Sequence, residues 1–322
     1  MKNLLTICAF VMGGMAFFSF CACSHDEGTD AQTISFLPVG TQTTRATTTA
    51  SISTFGVSCS AYPSNSTFTS AGCGSYFFNE RIDASTGRCN YFWPGASYKV
   101  SFFAYAPYGN GAFTLSSART QTGYPVYSYT VPETVGNQLD VMTAEVLNRS
   151  GASTNSPVAL NFGHRLVDIR FNVTNQNPSS PLTVQTITLT GMKYVGTLTS
   201  TAWTLTGSVN SLSSHPFTFT PNRSIAANAT VDVTGTTGHF MVIPQTITSG
   251  TTFITIKTTE SGSEHTYTHA LTQNMVLQQG KSYTFNLTLG DGTLIVDPAT
   301  AVNDWMVEQR NISGYVGTND WL

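Results

Sequence analysis

The chain has 322 residues, of which 10% are charged, and its net charge of −3 excludes the basic footprint that nucleic-acid or acidic-membrane binding requires. Its length allows one large or two ordinary domains. Abundant Ser, Thr, Asn and Gly, with β-branched and aromatic residues between them, suits an exported all-β protein.

The first segment opens with Lys2 and runs almost without interruption through apolar residues from Leu4 to Phe20. Charge, apolar run and small-residue exit make a secretory signal pattern. The run is also about long enough to span a bilayer, but a spanning helix has no need of the Ala22-Cys23 exit. That exit resembles a bacterial lipoprotein signal, in which the cysteine thiol is acylated and becomes the new N-terminus. Cys23 is the first candidate for lipidation and Cys21 the second. Phe20 and Cys21 stand where such signals usually carry Leu and Ser or Ala. The following Ser24-His25-Asp26-Glu27 resembles the patch that sends such lipoproteins to the cell surface.

A strand-like segment follows, Ile34-Ser35-Phe36-Leu37-Pro38-Val39. Pro38 cannot donate to a ladder, which predicts an edge strand, and an edge strand can leave without splitting a core. Next comes Thr43-Thr44-Arg45-Ala46, without apolar periodicity, the context proteolysis prefers. Arg45 and Ala46 are the candidate cleavage site. The ordinary alternative is a loop arginine.

Beyond it, period-two alternation dominates and helical periodicity is nearly absent. The clearest strands are 166–174, with Val167, Ile169, Phe171 and Val173 on one face, and 282–289, with Tyr283, Phe285, Leu287 and Leu289 on one face. Residues 98–106 carry adjacent Phe102 and Phe103, which predicts a central strand covered on both sides. Many short strands between Gly, Pro, Asn and Ser turns indicate β-sandwich architecture. Two polar stretches could be linkers, 148–157 and 175–181, and the second divides the body into halves of ordinary domain size.

Candidate chemistry is sparse. Cys59, Cys73 and Cys89 remain after the signal, an odd number that precludes a complete disulfide framework. Cys73, between two glycines, and Cys89, two residues after Gly87, lie in turn-like sequence and could pair; Cys59 reads as a buried strand thiol. His265 and His269 have helical metal-site spacing, but their setting is a strand, where residues four apart lie ~13 Å from each other. His164 lacks a neighbouring nucleophile. The carboxylates are scattered, and no phosphate-cradling glycine loop is present. The recurring Asn-x-Ser/Thr triplets follow from composition. No catalytic residue, cofactor or metal site is indicated.

Several stretches taken in order resemble the fimbrillin family, the type V pilins of Bacteroides-like bacteria. They are Tyr91-Phe92-Trp93-Pro94, then Val100-Ser101-Phe102-Phe103-Ala104-Tyr105-Ala106-Pro107, then Asp140-Val141-Met142-Thr143-Ala144, then the run from Val158 to Leu166, then Val242-Ile243-Pro244-Gln245. The resemblance implies two tandem transthyretin-like (Ig-like) β-sandwich domains in a precursor exported as a lipoprotein. It implies that an arginine-directed protease removes the first strand and that subunits join by β-strand exchange. The expected organisation is a signal peptide (1–22), a lipidated and removable N-terminal strand (23–45), an N-terminal sandwich (46–177), a C-terminal sandwich (178–289) and a tail (290–322). In that tail Leu294, Val296, Val302, Trp305 and Val307 are the expected donor-strand anchors. The alternative is that the tail forms permanent strands of its own C-terminal sandwich. Tip and anchor subunits of the family can lack a donor tail, so this one points to a stalk subunit.

The expected partners are other pilin subunits and, before cleavage, the outer membrane through the lipid; no nucleic acid is expected. The competing reading is an unprocessed surface lipoprotein, a tip adhesin or glycan-binding module. In it Tyr108, Tyr124 and Trp203 would form an exposed aromatic platform for an unknown ligand.

Overall fold

The computed structural model describes residues 32–39, 42–43, 50–290 and 292–304. Their regular structure is strand, with two 3-10 turns at Phe68–Ser70 and Val135–Asn137. The first part holds β1 (Thr33–Val39), β2 (Gln42–Thr43), β3 (Ala50–Ser51), β4 (Thr54–Pro63), β5 (Phe77–Asp83), β6 (Arg88–Phe92), β7 (Tyr98–Ala106), β8 (Phe113–Leu115), β9 (Val126–Thr130), β10 (Met142–Ser150), β11 (Val158–Asn161) and β12 (Gly163–His164). The second part holds β13 (Val167–Asn175), β14 (Leu182–Leu189), β15 (Lys193–Thr199), β16 (Ala202–Val209), β17 (Phe217–Phe219), β18 (Arg223–Ile225), β19 (Thr230–Asp232), β20 (Phe240–Val242), β21 (Gln245–Ile247), β22 (Thr252–Glu260), β23 (Ser263–Ala270), β24 (Met275–Leu277), β25 (Lys281–Gly290) and β26 (Thr293–Asp304).

The first core lies between a five-stranded sheet, β12-β10-β7-β4-β5, and a three-stranded sheet, β11-β1-β6. It is filled by Ile34, Phe36, Phe55, Val57, Phe77, Phe102, Val158 and Leu160 among others. β7 is central and covered on both faces, as the adjacent Phe102 and Phe103 predict. Phe102 and Ala104 face this core, whereas Phe103 faces a smaller cluster with Tyr62, Phe68 and Cys73. Tyr105 reaches into the second core.

The second core lies among the sheets β19-β13-β25-β26, β17-β14-β22-β23 and β16-β15-β9-β8. The two cleanest alternating segments prove to be neighbours. β13 and β25 run parallel in register from Asp168↔Ser282 to Asn175↔Leu289. The molecule is thus all-β, with two sandwich cores in tandem.

A division at 177/178 assigns β13 to the first domain, yet β13 packs in the second core, and β8 and β9 join β15 and β16 in one sheet. Polar composition marks a turn but carries no information about which core the preceding strand enters. The stretch 175–181 is a turn closed by Asn175, whose buried Nδ2 donates to the carbonyls of Ser180, Ile225 and Ala226.

The possible pairing of Cys73 with Cys89 is not made. Both are free, as is Cys59, and all three are buried. Cys89, on β6, lies in the first core, and Cys73, in the loop before β5, in the smaller cluster behind β7, so the larger sheet stands between them. Burial pushes the Cys89 thiol up to about 11, so at neutral pH it is protonated and a poor nucleophile.

Candidate functional site

The feature that sets this fold apart from a plain sandwich is the way β1 is held. Its sequence, Thr-Ile-Ser-Phe-Leu-Pro-Val, alternates so that Ile34, Phe36 and Pro38 are buried and Thr33 and Leu37 exposed. Phe36 packs edge-on against Phe102, with ring centroids 5.2 Å apart, and against Phe55 at 6.4 Å. Burial of Ile34 and Phe36 contributes about 1.5–3 kcal/mol each. A strand removed from this position leaves an apolar groove floored by Phe55 and Phe102.

The expectation that β1 is an edge strand is corrected by the structure: β1 lies in the middle of its sheet, between β11 and β6. It pairs in parallel with β11 from Phe36↔Val158 to Val39↔Asn161. To β6 it is antiparallel and irregular, with Thr33↔Phe92 and Ser35↔Arg88. The Phe36 N–H donates to the carbonyl of Gly87 at 2.8 Å, the residue just before the N-terminal end of β6. Backbone groups two residues apart point the same way, so the Pro38 nitrogen faces past the end of β6 and forfeits no ladder bond. The proline reports a local edge, not an edge strand.

Gly87 closes the groove at this point. Its φ is +60°, and an added Cβ would collide with the Phe36 carbonyl oxygen. Sequence reasoning passed over Gly87, although the Asp83-Ala84-Ser85-Thr86-Gly87 turn carries the usual signal of a glycine with positive φ. At the other end of β1 the Trp93 N–H donates to the Gln32 carbonyl at 3.2 Å.

After β1 the chain forms the short pair β2–β3, with Gln42↔Ser51 and Thr43↔Ala50. Arg45 and Ala46 fall in the connection 44–49, outside the described residues, as do Cys21 and Cys23 near the start and Trp305 and Val307 in the tail. The described part of the tail, β26, is an edge strand of the second core. It pairs antiparallel with β25, placing Leu294 opposite Leu289, Val296 opposite Leu287 and Val302 opposite Tyr283. Leu294 and Val296 are only partly buried against that core, and Ile295 is 53% exposed.

The aromatics of the adhesin reading are engaged internally. Trp203 donates its Nε1–H to the Arg165 carbonyl at 2.6 Å and packs against the second core. Tyr124 stacks edge-on with Phe68 and Phe103, and Tyr108 packs against Tyr105. They form no common platform. His265 and His269 sit on β23, and His164 bonds Asp140 through Nδ1 at 2.7 Å in a buried pair. Among the described residues no group of three or more His, Cys, Asp or Glu side chains could hold a metal ion.

A family model described as fimbrillin-like matches residues 39–305. Among solved structures, the chain is similar to a fimbrial protein from Bacteroides vulgatus, with a TM-score of 0.65 and 18% identity, over 85% of this chain and 99% of that one. It is also similar to a proposed cell adhesion protein from Bacteroides ovatus, with a TM-score of 0.57 and 15% identity, over 87% of this chain and 100% of that one. At these identities the likeness establishes the fold. Comparison with curated proteins finds no significant match.

Proposed function

The chain belongs to the fimbrillin-like family, and we propose that it is a structural subunit, of the stalk type, of a cell-surface fimbria. In this reading the precursor is exported as a lipoprotein on Cys23 and reaches the outer membrane. Cleavage after Arg45 then releases β1, and the vacated groove accepts a strand from a neighbouring subunit. Its partners are other pilin subunits, and its work is strand addition rather than catalysis.

The observation that carries this reading is the seat of β1. That strand fills the first core with two large apolar anchors. Yet it is joined to the rest of the sandwich through a segment in which the only basic residue is Arg45. Loss of β1 leaves backbone groups of β11 without partners and exposes Phe55 and Phe102, and a strand of matching alternation removes both penalties. Four or five buried aliphatic anchors would contribute on the order of 10 kcal/mol before ordering costs, enough for slow dissociation.

The donor in this reading is the tail. β26 has a ladder to β25 alone and half-buried anchors, so its release costs less than that of a central strand. Arg45→Ala should give a folded precursor that does not assemble. N-terminal sequencing of protein from the cell surface should read from Ala46. Fibres formed by the Arg45→Ala protein, or an acylated Cys23 on mature surface protein, would overturn the reading, the latter in favour of an unprocessed adhesin.

A further inference from the structure

The first strand and the tail carry the same pattern. β1 begins Thr33-Ile34-Ser35-Phe36-Leu37-Pro38-Val39 and β26 begins Thr293-Leu294-Ile295-Val296-Asp297-Pro298-Ala299. Threonine opens both, aliphatic or aromatic residues hold the second and fourth places, and proline holds the sixth. The two strands also share their inside–outside order. In β1, Ile34 and Phe36 are buried while Thr33 and Leu37 are exposed. In β26, Leu294 and Val296 turn towards the core while Thr293, Ile295 and Asp297 are exposed.

The proline is the most restrictive of these matches. In the β1 position its nitrogen faces past the end of β6, so a residue without an N–H fits there at no loss. In its own sheet Pro298 lies instead at a break in the ladder. The β25–β26 register runs regularly from Gly290↔Thr293 to Asn286↔Asp297, then shifts before resuming at Thr284↔Ala301. The break falls where Pro298 lies. A proline that interrupts the ladder at home suits the seat of Pro38.

We propose that residues 293–299 of a second copy replace residues 33–39 residue for residue, with Leu294 in the place of Ile34, Val296 in that of Phe36 and Pro298 in that of Pro38. This inference rests on the strand-exchange reading above and adds the register to it. Asp297 then takes the exposed place of Leu37, opposite Ala159 of β11. A shift by one residue would instead drive Asp297 into the seat of Phe36, beside Phe55 and Phe102, burying a carboxylate among aromatic rings. The pattern therefore fixes the register as well as permitting it. Val296 is smaller than Phe36 and leaves space against both rings. The tail thus fills the groove less well than β1 and does not displace an intact β1, which makes removal of β1 the committing step.

A graft tests the register without requiring assembly. In the full chain, Ile34→Leu, Ser35→Ile, Phe36→Val, Leu37→Asp and Val39→Ala together give β1 the tail sequence in the proposed register. A second graft, displaced by one residue, carries Thr33→Leu, Ser35→Val, Phe36→Asp, Leu37→Pro, Pro38→Ala and Val39→Thr. The first should keep amide-exchange protection along 158–162 and one cooperative melt, at a temperature below that of the native chain. The displaced graft should lose that protection. Equal loss in both grafts would overturn the register, while the exchange reading would still stand or fall with Arg45→Ala. In assembled fibres, Ala159→Cys should cross-link to Asp297→Cys of the next subunit. Cross-linking to Ile295→Cys or Ala299→Cys instead would overturn the register and leave strand exchange intact.

Discussion

Asp168 is the most heavily committed polar residue of the second core. It is fully buried on β13, and its Oδ2 accepts from Arg170 Nε at 2.7 Å and Ser282 Oγ at 2.9 Å, while His239 Nδ1 lies 3.2 Å from Oδ1. Burial opposes ionisation, but His239 and Arg170 outweigh it and hold the carboxyl below the ordinary range. A carboxyl depressed in the folded state contributes stability above its unfolded pKa of ~3.9, and loses it as pH falls through the folded value. Asp168→Asn should therefore cost about 3–5 kcal/mol at pH 7, because Arg170 loses its counter-charge, and the loss should shrink at acid pH. Urea denaturation at pH 7 and pH 3 measures both. Gly87 makes a second case at this scale. Gly87→Ala puts a Cβ into the Phe36 carbonyl at a positive φ, and should lower Tm and speed amide exchange along β1 with little change along β22. Unchanged exchange in β1 would show that the close approach does not hold the strand.

At the scale of the element, alternation made the strands legible, and it did so best where one face is buried and the other wet. β1, β13 and β25 all follow it. Whether a strand is central or at an edge was not legible, because its neighbours come from far along the chain. β1 pairs with β11 across more than a hundred residues, and nothing within 33–39 encodes that partner. The tail shows the same limit. Its apolar spacing suits a donor strand and a home strand alike, and β26 takes the home position beside β25. Deleting residues 293–322 should leave a monomer that melts cooperatively but at lower temperature, since Leu294 and Val296 are half-buried and contribute about 1 kcal/mol each. A broad, non-cooperative melt of that truncated chain would make the tail an integral part of its own core.

At the scale of the molecule the second core is fastened internally, and joined to the first sheet, by specific contacts. The buried Gln138 side chain donates to the Pro132 carbonyl at 2.9 Å and accepts the Met241 N–H at 2.7 Å, fastening the segment after β9 to β20. The Thr218 N–H donates to the Glu133 carbonyl at 3.0 Å, and Tyr105 from the first sheet packs into the second core. These contacts predict one calorimetric transition for the described body. Gln138→Ala leaves the buried Met241 N–H without an acceptor and should cost about 1–3 kcal/mol. Two resolved transitions in the native chain would show that the cores melt independently.

Residue order alone determined that this is an all-β chain of sandwich type with little charge, which strands have one wet face, and which family it resembles, because composition and period-two alternation are local properties that any short window carries. Tertiary structure alone decided that β1 is enclosed between β11 and β6, that Pro38 lies beyond the start of β6, that β13 belongs to the second core, and that Tyr108, Tyr124 and Trp203 pack against separate internal neighbours. Each of these depends on which distant segments meet. A strand's alternation states only that one face is buried, and the free energy of the whole packed chain selects what buries it.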